Sequence, residues 1–382
     1  MKCKTIEIFL FIDALGWKIV NDHNFMPELL PYRKKINMQF GYSSSAIPSI
    51  LSGRTPAEHG HLGLFRFAPE CSPFKQLSRY AWIFKPEGLW NRGRVRHHLS
   101  KFLKKVYGFT GYFQLYRMPI WKLKFMDYCE KRDLFTEGGM EDIPNLHDTL
   151  TAEGVNFHIS DWHLSDDENY IAAEKAIEAG KNFLFVYTAA LDGMLHDNVG
   201  NYSAVQNKLD GIKAQIRDLY AKAREYAEEV HFTVISDHGM TPLAGTADVM
   251  SKIAKSGLVF GKDYGACYDS TMARFYFLSK TSERVISEIM KEFPGHFLSE
   301  EEEKKYGIHR RDRAFGDGIF LLDPGIQLVP SDMGSKPLNG MHGFIPENEH
   351  SFAAILSNTE LPGSVQHVAD YFNLMKERAG ML

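Results

Sequence analysis

Residues 230–240 read VHFTVISDHGM, a short run of β-branched and aromatic residues that ends in a carboxylate and an imidazole. Two other segments have the same form: IEIFLFID at residues 6–13 and NFLFVYTAALD at residues 182–192. Near-continuous apolar residues over the length of a strand indicate strands that are covered on both faces, as in a parallel sheet. Each run ends in an aspartate, so three carboxylates are predicted at one edge of that sheet.

The segments between and beyond these runs predict the rest of the architecture. Residues 202–229 are long, charged and carry apolar residues at helical spacing. We therefore expect an α/β fold with a doubly wound, mostly parallel sheet, helices on both faces, and inserted cap segments. The predicted insertions are a basic aromatic segment at residues 66–140 and a small α+β subdomain at residues 264–330.

The composition excludes several classes of protein. With 44 Lys and Arg against 48 Asp and Glu, the formal charge is -4, so no specific nucleic-acid binding is expected. The four cysteines lie far apart without a CxxC pair, which fits neither a disulfide framework nor a thiolate zinc site. No apolar stretch has the length of a membrane span. The predicted location is cytoplasmic, with a membrane-peripheral location as the alternative.

Residues 92–124 have a character of their own, with nine Lys or Arg, no Asp or Glu, and seven aromatic residues. The favoured interpretation is a cap whose aromatic residues form its core and whose charges are solvated. The alternative is a surface that contacts anionic lipid or polysaccharide phosphate.

Residues 41–60, GYSSSAIPSILSGRTPAEHG, place three serines before an apolar run and so predict a helix that begins among hydroxyl groups. The N-terminus of a helix has free backbone N–H groups and a positive dipole, which stabilise phosphoryl oxygens. An ordinary serine N-cap explains the same residues, and this stretch alone favours neither interpretation.

Aspartate and histidine occur in patterns that suit divalent metal ions. Asp192 and His196 are four residues apart, so one helical turn projects both to the same side. Asp237 and His238 place an oxygen and a nitrogen ligand directly after a strand, and His342 lies in a glycine-rich turn. Carboxylates and imidazoles in this proportion suit zinc or manganese.

The order of these motifs resembles the alkaline phosphatase superfamily, in its type I phosphodiesterase/nucleotide pyrophosphatase branch. The motifs are FIDALG, the serine tract leading into LSGRTPAEHG, Asp192-x-x-x-His196, SDHGM and GMHG. The resemblance implies an alkaline-phosphatase-like catalytic domain over residues 1–382. It also implies a two-metal phosphohydrolase that cleaves small-molecule phosphodiesters or nucleotide pyrophosphates through a phosphoryl-serine intermediate.

The resemblance further implies the site residues, with Zn²⁺ expected and Mn²⁺ as the alternative. The implied ligands are Asp192, His196 and His342 for one ion, and Asp13, Asp237, His238 and Ser43 for the other. The family places its nucleophile ten residues before the glycine of the SG pair, and counting back from Gly53 gives Ser43. Ser44 and Ser45 are the alternatives.

Two departures from the family pattern remove no ligand. The nucleophile is more usually threonine, and Leu195 stands where a glycine often precedes the metal-binding histidine. The sequence disfavours a sulfatase, because the C/S-x-P-x-R context of its nucleophile is missing after Ser43. A phosphomonoesterase, a phospho-group transferase of the same superfamily and a non-catalytic binding protein on this fold remain as alternatives.

The choice between monoester and diester depends on residues beyond the motifs. A monoesterase must balance extra negative charge, for which Arg54, Arg66 and the basic insertion are candidates. A diesterase needs an apolar pocket for a second ester group, for which the candidates are Trp17, Tyr42, Phe65 and Phe344. Three smaller predictions are an ion pair between Asp269 and Arg274, a structural role for His59, and a surface or pocket position for His158 and His163.

Overall fold

The computed structural model of the chain describes residues 2–84, 90 and 92–381. In chain order its strands are β1 (Cys3–Ile12), β2 (Tyr32–Ile36), β3 (Phe65–Phe67), β4 (Met126–Tyr128), β5 (Phe157–Ile159), β6 (Phe183–Thr188), β7 (Ala227–Ile235), β8 (Thr241–Pro242), β9 (Gly245–Ala247), β10 (Tyr264–Tyr268), β11 (Met272–Phe277), β12 (Gly295–Phe297), β13 (Gly318–Leu322), β14 (Ile326–Leu328), β15 (Gly340–Met341) and β16 (Ala353–Ser357).

The α-helices are α1 (Trp17–Asp22), α2 (Ser43–Ser52), α3 (Pro56–His59), α4 (Gly93–Tyr107), α5 (Leu146–Ala152), α6 (Asp166–Glu178), α7 (Ala190–Asn198), α8 (Tyr202–Tyr226), α9 (Val249–Ala254), α10 (Lys280–Met290), α11 (Glu300–Lys305) and α12 (Asp370–Arg378). Short 3₁₀ helices occur at Leu77–Phe84 and Ile120–Phe125.

A six-stranded sheet forms the centre of the fold, in the order β2-β16-β7-β1-β6-β5. β5, β6, β1 and β7 run parallel, whereas β16 pairs antiparallel with both β7 and β2. The predicted mostly parallel α/β sheet is confirmed. The three runs that end in aspartate are the neighbouring strands β6, β1 and β7, so their carboxyl ends meet at one edge.

Helices cover both faces of this sheet because the side chains of β1 alternate between two cores. Ile8 and Leu10 lie in a core formed with α1, α6, α7 and α8. Phe9 and Phe11 lie in a second core formed with α2, α5 and α12. Since both sets of side chains are buried, the strand has the near-continuous apolar sequence of a strand covered on both faces.

The helix predicted over residues 202–229 ends earlier, at Tyr226. β7 begins at the next residue, and Ala227 pairs with Cys3 of β1. Pairing with the long strand β1 therefore extends β7 backwards into residues whose spacing alone is helical. The prediction was wrong for these last three residues because sheet pairing outweighed local periodicity.

The segment at residues 264–330 contains a four-stranded antiparallel sheet in the order β10-β11-β13-β12, with α10 and α11. The predicted ion pair is present and buried, with Arg274 Nε 2.7 Å from Asp269 Oδ2. Arg274 also donates to the carbonyl oxygen of Phe65 at 2.7 Å, which ties this sheet to β3, the strand at which the basic insertion begins. Its standing as a separate subdomain remains a prediction.

The basic aromatic insertion at residues 66–140 includes α4, β4 and both 3₁₀ helices, and its residues 85–89 and 91 lie outside the described residues. Phe74, Phe109, Phe113 and Tyr128 form a buried aromatic core within it. No described helix is both long enough and apolar enough to cross a membrane. The cytoplasmic location stays a prediction.

Candidate active site

The structure brings all seven predicted site residues together at the carboxyl edge of the central sheet. They are Asp13 after β1, Asp192 and His196 in α7 after β6, Asp237 and His238 after β7, His342 after β15, and Ser43 at the first position of α2. Their roles as metal ligands and nucleophile stay predictions, and the geometry below describes what the cluster offers.

Two glycines allow the loops after β1 and β7 to touch. A Cβ atom on Gly16 would lie 2.3 Å from the Cα of Gly239, and one on Gly239 would lie 2.2 Å from the carbonyl oxygen of His350. The close approach lets the backbone N–H of Ala14 donate to Asp237 Oδ1 at 3.2 Å. Glycine in both FIDALG and SDHGM therefore places two of the aspartates side by side.

The first group of potential ligands is Asp192, His196 and His342. His196 Nε2 lies 3.3 Å from Asp192 Oδ2, and His342 Nε2 lies 3.6 Å from Asp192 Oδ1. The Nδ1 of His196 lies 2.9 Å from the carbonyl oxygen of Gly340, to which a neutral ring donates its proton. That bond leaves the lone pair of Nε2 directed at the cluster, as metal-binding histidines require.

The second group surrounds His238. Its Nε2 lies 3.1 Å from Asp237 Oδ2, 3.6 Å from Asp13 Oδ1 and 3.0 Å from Ser43 Oγ. Asp13, Asp192 and His238 present ligand atoms within 4.8 Å of one another, as do the three residues of the first group. Asp192 therefore belongs to both groups, whereas the resemblance implies it for one ion only.

The chemistry of this cluster fits divalent cations. Four of its buried atoms have no hydrogen-bond partner within the described residues: Asp13 Oδ1, Asp192 Oδ1, Asp237 Oδ2 and His342 Nδ1. Burial, followed by the charge of Asp237, raises the pKa of Asp13 well above its usual value. Burial also lowers the pKa of His342, which favours the neutral ring that binds metals. Crowded carboxylate oxygens without donors are stabilised by a bound cation.

Among the three serines, the structure favours Ser43. Its Oγ contacts His238, whereas Ser45 is fully buried and its Oγ donates to the carbonyl oxygens of Phe40 and Tyr42 at 2.9 and 2.8 Å. Ser44 lines the cavity described next. The N-cap of α2 is Tyr42, so the interpretation of these serines as an ordinary N-cap was wrong.

A cavity of about 680 Å³ opens over this cluster. Aromatic side chains from two parts of the chain line it: Tyr112, Tyr116 and Phe135 from the insertion, and Trp162 and Tyr187 from the segments that follow it. Its charged lining residues outside the metal groups are Arg117, Glu130, Asp269 and Lys336. The cavity is therefore an aromatic pocket whose floor is the Asp/His cluster.

Several residues that the sequence suggested for the substrate pocket do not line this cavity. Arg54 pairs with Glu58 at 3.1 Å and Arg66 pairs with Asp127 at 2.8 Å, and neither arginine lines the cavity among the described residues. Of the four apolar candidates only Tyr42 lines it; Trp17 packs beside the first core, and Phe65 and Phe344 are buried elsewhere. Among the aromatic residues that line the cavity and were not predicted, only Tyr187 could have been inferred from the sequence, because it lies near the carboxyl end of the predicted strand β6.

Two of the three other histidines named from the sequence, His59 and His163, have local partners. His59 is buried with Nε2 3.0 Å from Ser49 Oγ, in keeping with the predicted structural role. His163 stacks on Trp162 with ring centroids 3.8 Å apart, which holds the edge of a cavity wall. His158 lies half-buried in β5.

Comparison with known proteins identifies the family to which the chain belongs. Residues 8–344 match the family model described as type I phosphodiesterase/nucleotide pyrophosphatase. Murine ectonucleotide pyrophosphatase/phosphodiesterase 5 has a similar structure, with a TM-score of 0.68 at 12% sequence identity, covering 100% of this chain and 96% of that one. The structure of an inactive variant of the murine protein, in complex with AMP, has a TM-score of 0.68 at 12% sequence identity and covers 99% of this chain and 96% of that one. The structure of the human protein has a TM-score of 0.66 at 13% sequence identity and covers 100% of this chain and 96% of that one. No curated protein matches in sequence.

Glu130 is the unexpected group of the cavity. The half-buried carboxyl accepts a hydrogen bond from the backbone N–H of Tyr112 at 3.2 Å. Burial, aided by the charge of Asp133 and opposed by Tyr112 and Lys104, raises its pKa to about 8. Near neutral pH the insertion thus presents a largely protonated carboxyl, which can donate a hydrogen bond into the pocket.

Replacement of Glu130 by glutamine should change the pH dependence of stability. Because the folded pKa exceeds the ordinary value, the folded chain binds more protons between about pH 4.5 and 8, so Glu130 costs stability as pH rises through this window. Glu130→Gln should be near neutral at pH 5 and stabilising by up to about 2–5 kcal/mol above pH 8. Thermal unfolding of metal-stripped protein measures the difference.

The matched control is Glu137→Gln, an exposed glutamate of the same insertion, which should leave the profile unchanged. If the difference in stability between Glu130→Gln and wild type stays constant across this pH range, Glu130 is ionised throughout the range and the prediction is wrong.

Proposed function

We propose a function from one premise, that the chain belongs to the type I phosphodiesterase/nucleotide pyrophosphatase family and is a hydrolase of that family. The proposal is hydrolysis of a phosphodiester or nucleotide pyrophosphate bond with two divalent ions and a phosphoryl intermediate on Ser43. One observation carries it: Ser43 Oγ lies 3.0 Å from His238 Nε2 at the start of α2, beneath the cavity and beside both ligand groups.

The two ligand groups would hold the ions. Asp192, His196 and His342 would bind one, and Asp13, Asp237 and His238 the other, with Asp192 close to both. Bound cations would lower the pKa of the Ser43 hydroxyl and balance negative charge on the phosphoryl oxygens. Three imidazoles among the ligands favour Zn²⁺, with Mn²⁺ as the alternative.

The chain's own groups then act in two displacements. Ser43 Oγ attacks phosphorus as the bond to the leaving oxygen breaks, which transfers the phosphoryl group to the serine. A water molecule attacks the same phosphorus, breaks the serine ester and restores the hydroxyl. The first backbone N–H groups of α2 have no acceptor within the helix, so they can donate to phosphoryl oxygens beside Ser43.

The cavity supports a nucleotide-like substrate. Flat aromatic rings such as Trp162 and Tyr187 suit a base or another planar leaving group, and Glu130 offers a hydrogen-bonding carboxyl. The murine relative in complex with AMP supports the same class of substrate. A second ester group would be accommodated by the aromatic walls.

A phosphomonoesterase is the second candidate, because Arg117 and Lys336 line the cavity. Of the cations expected to serve that activity, Arg54 and Arg66 are engaged elsewhere, whereas the basic insertion contributes Arg117 to the cavity lining. The aromatic walls favour the diester, with Arg117 and Lys336 as the residues that a monoesterase would use.

Diester and monoester activity should differ on the same protein. Metal-stripped chain reloaded with zinc, and in parallel with manganese, should cleave bis-nitrophenyl phosphate with kcat/KM at least about tenfold above the value for nitrophenyl phosphate, because the walls stabilise the second ring. Lys336→Ala should raise this ratio or leave it unchanged. A monoester preference that falls in Lys336→Ala would make the chain a phosphatase.

Loss of the Ser43 hydroxyl should abolish turnover. Ser43→Ala should lower kcat by at least about a thousandfold while metal content stays unchanged, because only the attacking oxygen is removed. Ser44→Ala, in the neighbouring serine that also lines the cavity, is the control and should stay within about tenfold of wild type. The reverse pattern would transfer the nucleophile to Ser44.

Asp192 should affect both ions, because it belongs to both ligand groups. Asp192→Asn should retain well under about one ion per chain, whereas His196→Ala should retain about one, as measured by elemental analysis after dialysis. Equal metal content in the two variants would confine Asp192 to the first group.

A further inference from the structure

We propose that one face of α4 docks the chain on the surface of an anionic lipid bilayer. This docking face is formed by the exposed residues Arg94, His98, Lys101, Phe102, Lys105 and Val106. The proposal does not depend on the proposed reaction, since none of these residues lines the cavity.

Buried contacts on the opposite side of α4 determine which of its residues face solvent. Arg96, Ser100 and Leu103 are buried, and Arg96 Nη1 donates to the carbonyl oxygen of Met118 at 2.8 Å. Ser100 Oγ accepts from the backbone N–H of Leu115 at 3.0 Å. Because these contacts hold the inner face, the docking face is presented to solvent in one orientation.

The docking face carries positive charge that no described acidic side chain neutralises. Arg94, Lys101 and Lys105 lie along one edge of the face, at helical spacing, and form no ion pair with any residue that the structure describes. Residues 92–124 contain no Asp or Glu, although the whole chain carries a charge of -4. Three unpaired cations on one helix face of an otherwise acidic protein complement an anionic surface.

Apolar side chains border these cations. Phe102 is 63% exposed and Val106 is 58% exposed, one helical turn apart on the same flank. An amphipathic face of this kind buries its apolar flank at the boundary between headgroups and acyl chains. Phe102 is the single aromatic ring of this flank and Val106 beside it is aliphatic, a pair that suits acyl chains better than a row of stacked bases, so lipid is the favoured partner.

Vesicle sedimentation tests the docking face directly. Full-length chain should sediment with phosphatidylglycerol-containing vesicles and stay in solution with pure phosphatidylcholine, and added salt should weaken the binding. Lys101→Glu combined with Lys105→Glu should reduce the partition coefficient at least about tenfold, since each basic residue near the surface contributes about 1 kcal/mol. Phe102→Ser should also weaken binding and leave its salt dependence in place.

The matched control is Lys255→Glu combined with Lys280→Glu, which makes the same charge change at exposed positions outside the insertion. It should bind like wild type, and all variants should keep wild-type circular dichroism and hydrolysis of a soluble ester. Equal loss in both double variants, unchanged binding in Lys101→Glu/Lys105→Glu, or tighter binding to an oligonucleotide than to vesicles would each overturn the proposal. Lipid binding by a chain without hydrolase activity would leave it standing and reject only the proposed function.

Discussion

Three aspartates meet in the protein interior at the ends of β6, β1 and β7, and their mutual repulsion is the constraint that organises the site. Asp237 Oδ1 receives backbone N–H donors from Ala14 and His238, but the other oxygens of the cluster have few partners. Burial of unpaired carboxylates costs free energy, which a bound cation would recover. Metal binding would therefore be coupled to stability, because the carboxylates that cost free energy when buried are the groups that would hold the ions.

The parts of this arrangement that the sequence predicts are those set by local rules. Strands covered on both faces leave apolar runs, and parallel strands bring their carboxyl ends to one edge, so Asp13 and Asp237 could be placed from sequence. The shared position of Asp192 could not, since its distances to Asp13 and His238 depend on tertiary packing that no local pattern encodes. The residue at which α8 ends was also beyond local reasoning, because pairing with Cys3 determines where β7 begins.

The cavity walls were unpredictable for a different reason. Tyr112 and Glu130 lie in an insertion, far in sequence from every motif, and reach the cavity only through tertiary packing. The sequence around an arginine does not show which carboxylate it will pair with. Arg66 was a candidate to bind the phosphate, but it forms an ion pair with Asp127 of the neighbouring strand β4. The same insertion supplies part of the cavity wall and the proposed docking face, so one segment would serve both substrate access and the proposed surface attachment.

The turn that carries His342 explains why the Asp/His cluster and Ser43 are held in one arrangement. On one side, a Cβ at Gly340 would lie 2.9 Å from the carbonyl oxygen of Leu195, so the turn fits closely against α7 and its histidine. On the other side, Gly343 has a φ of 91°, and a Cβ there would lie 2.5 Å from the ring of Tyr42. Tyr42 directly precedes Ser43, and its hydroxyl lies 2.8 Å from Thr271 Oγ1, which donates to Gly343 O. Because the turn is held between α7 and α2, displacement of either helix would move His342 relative to the serine.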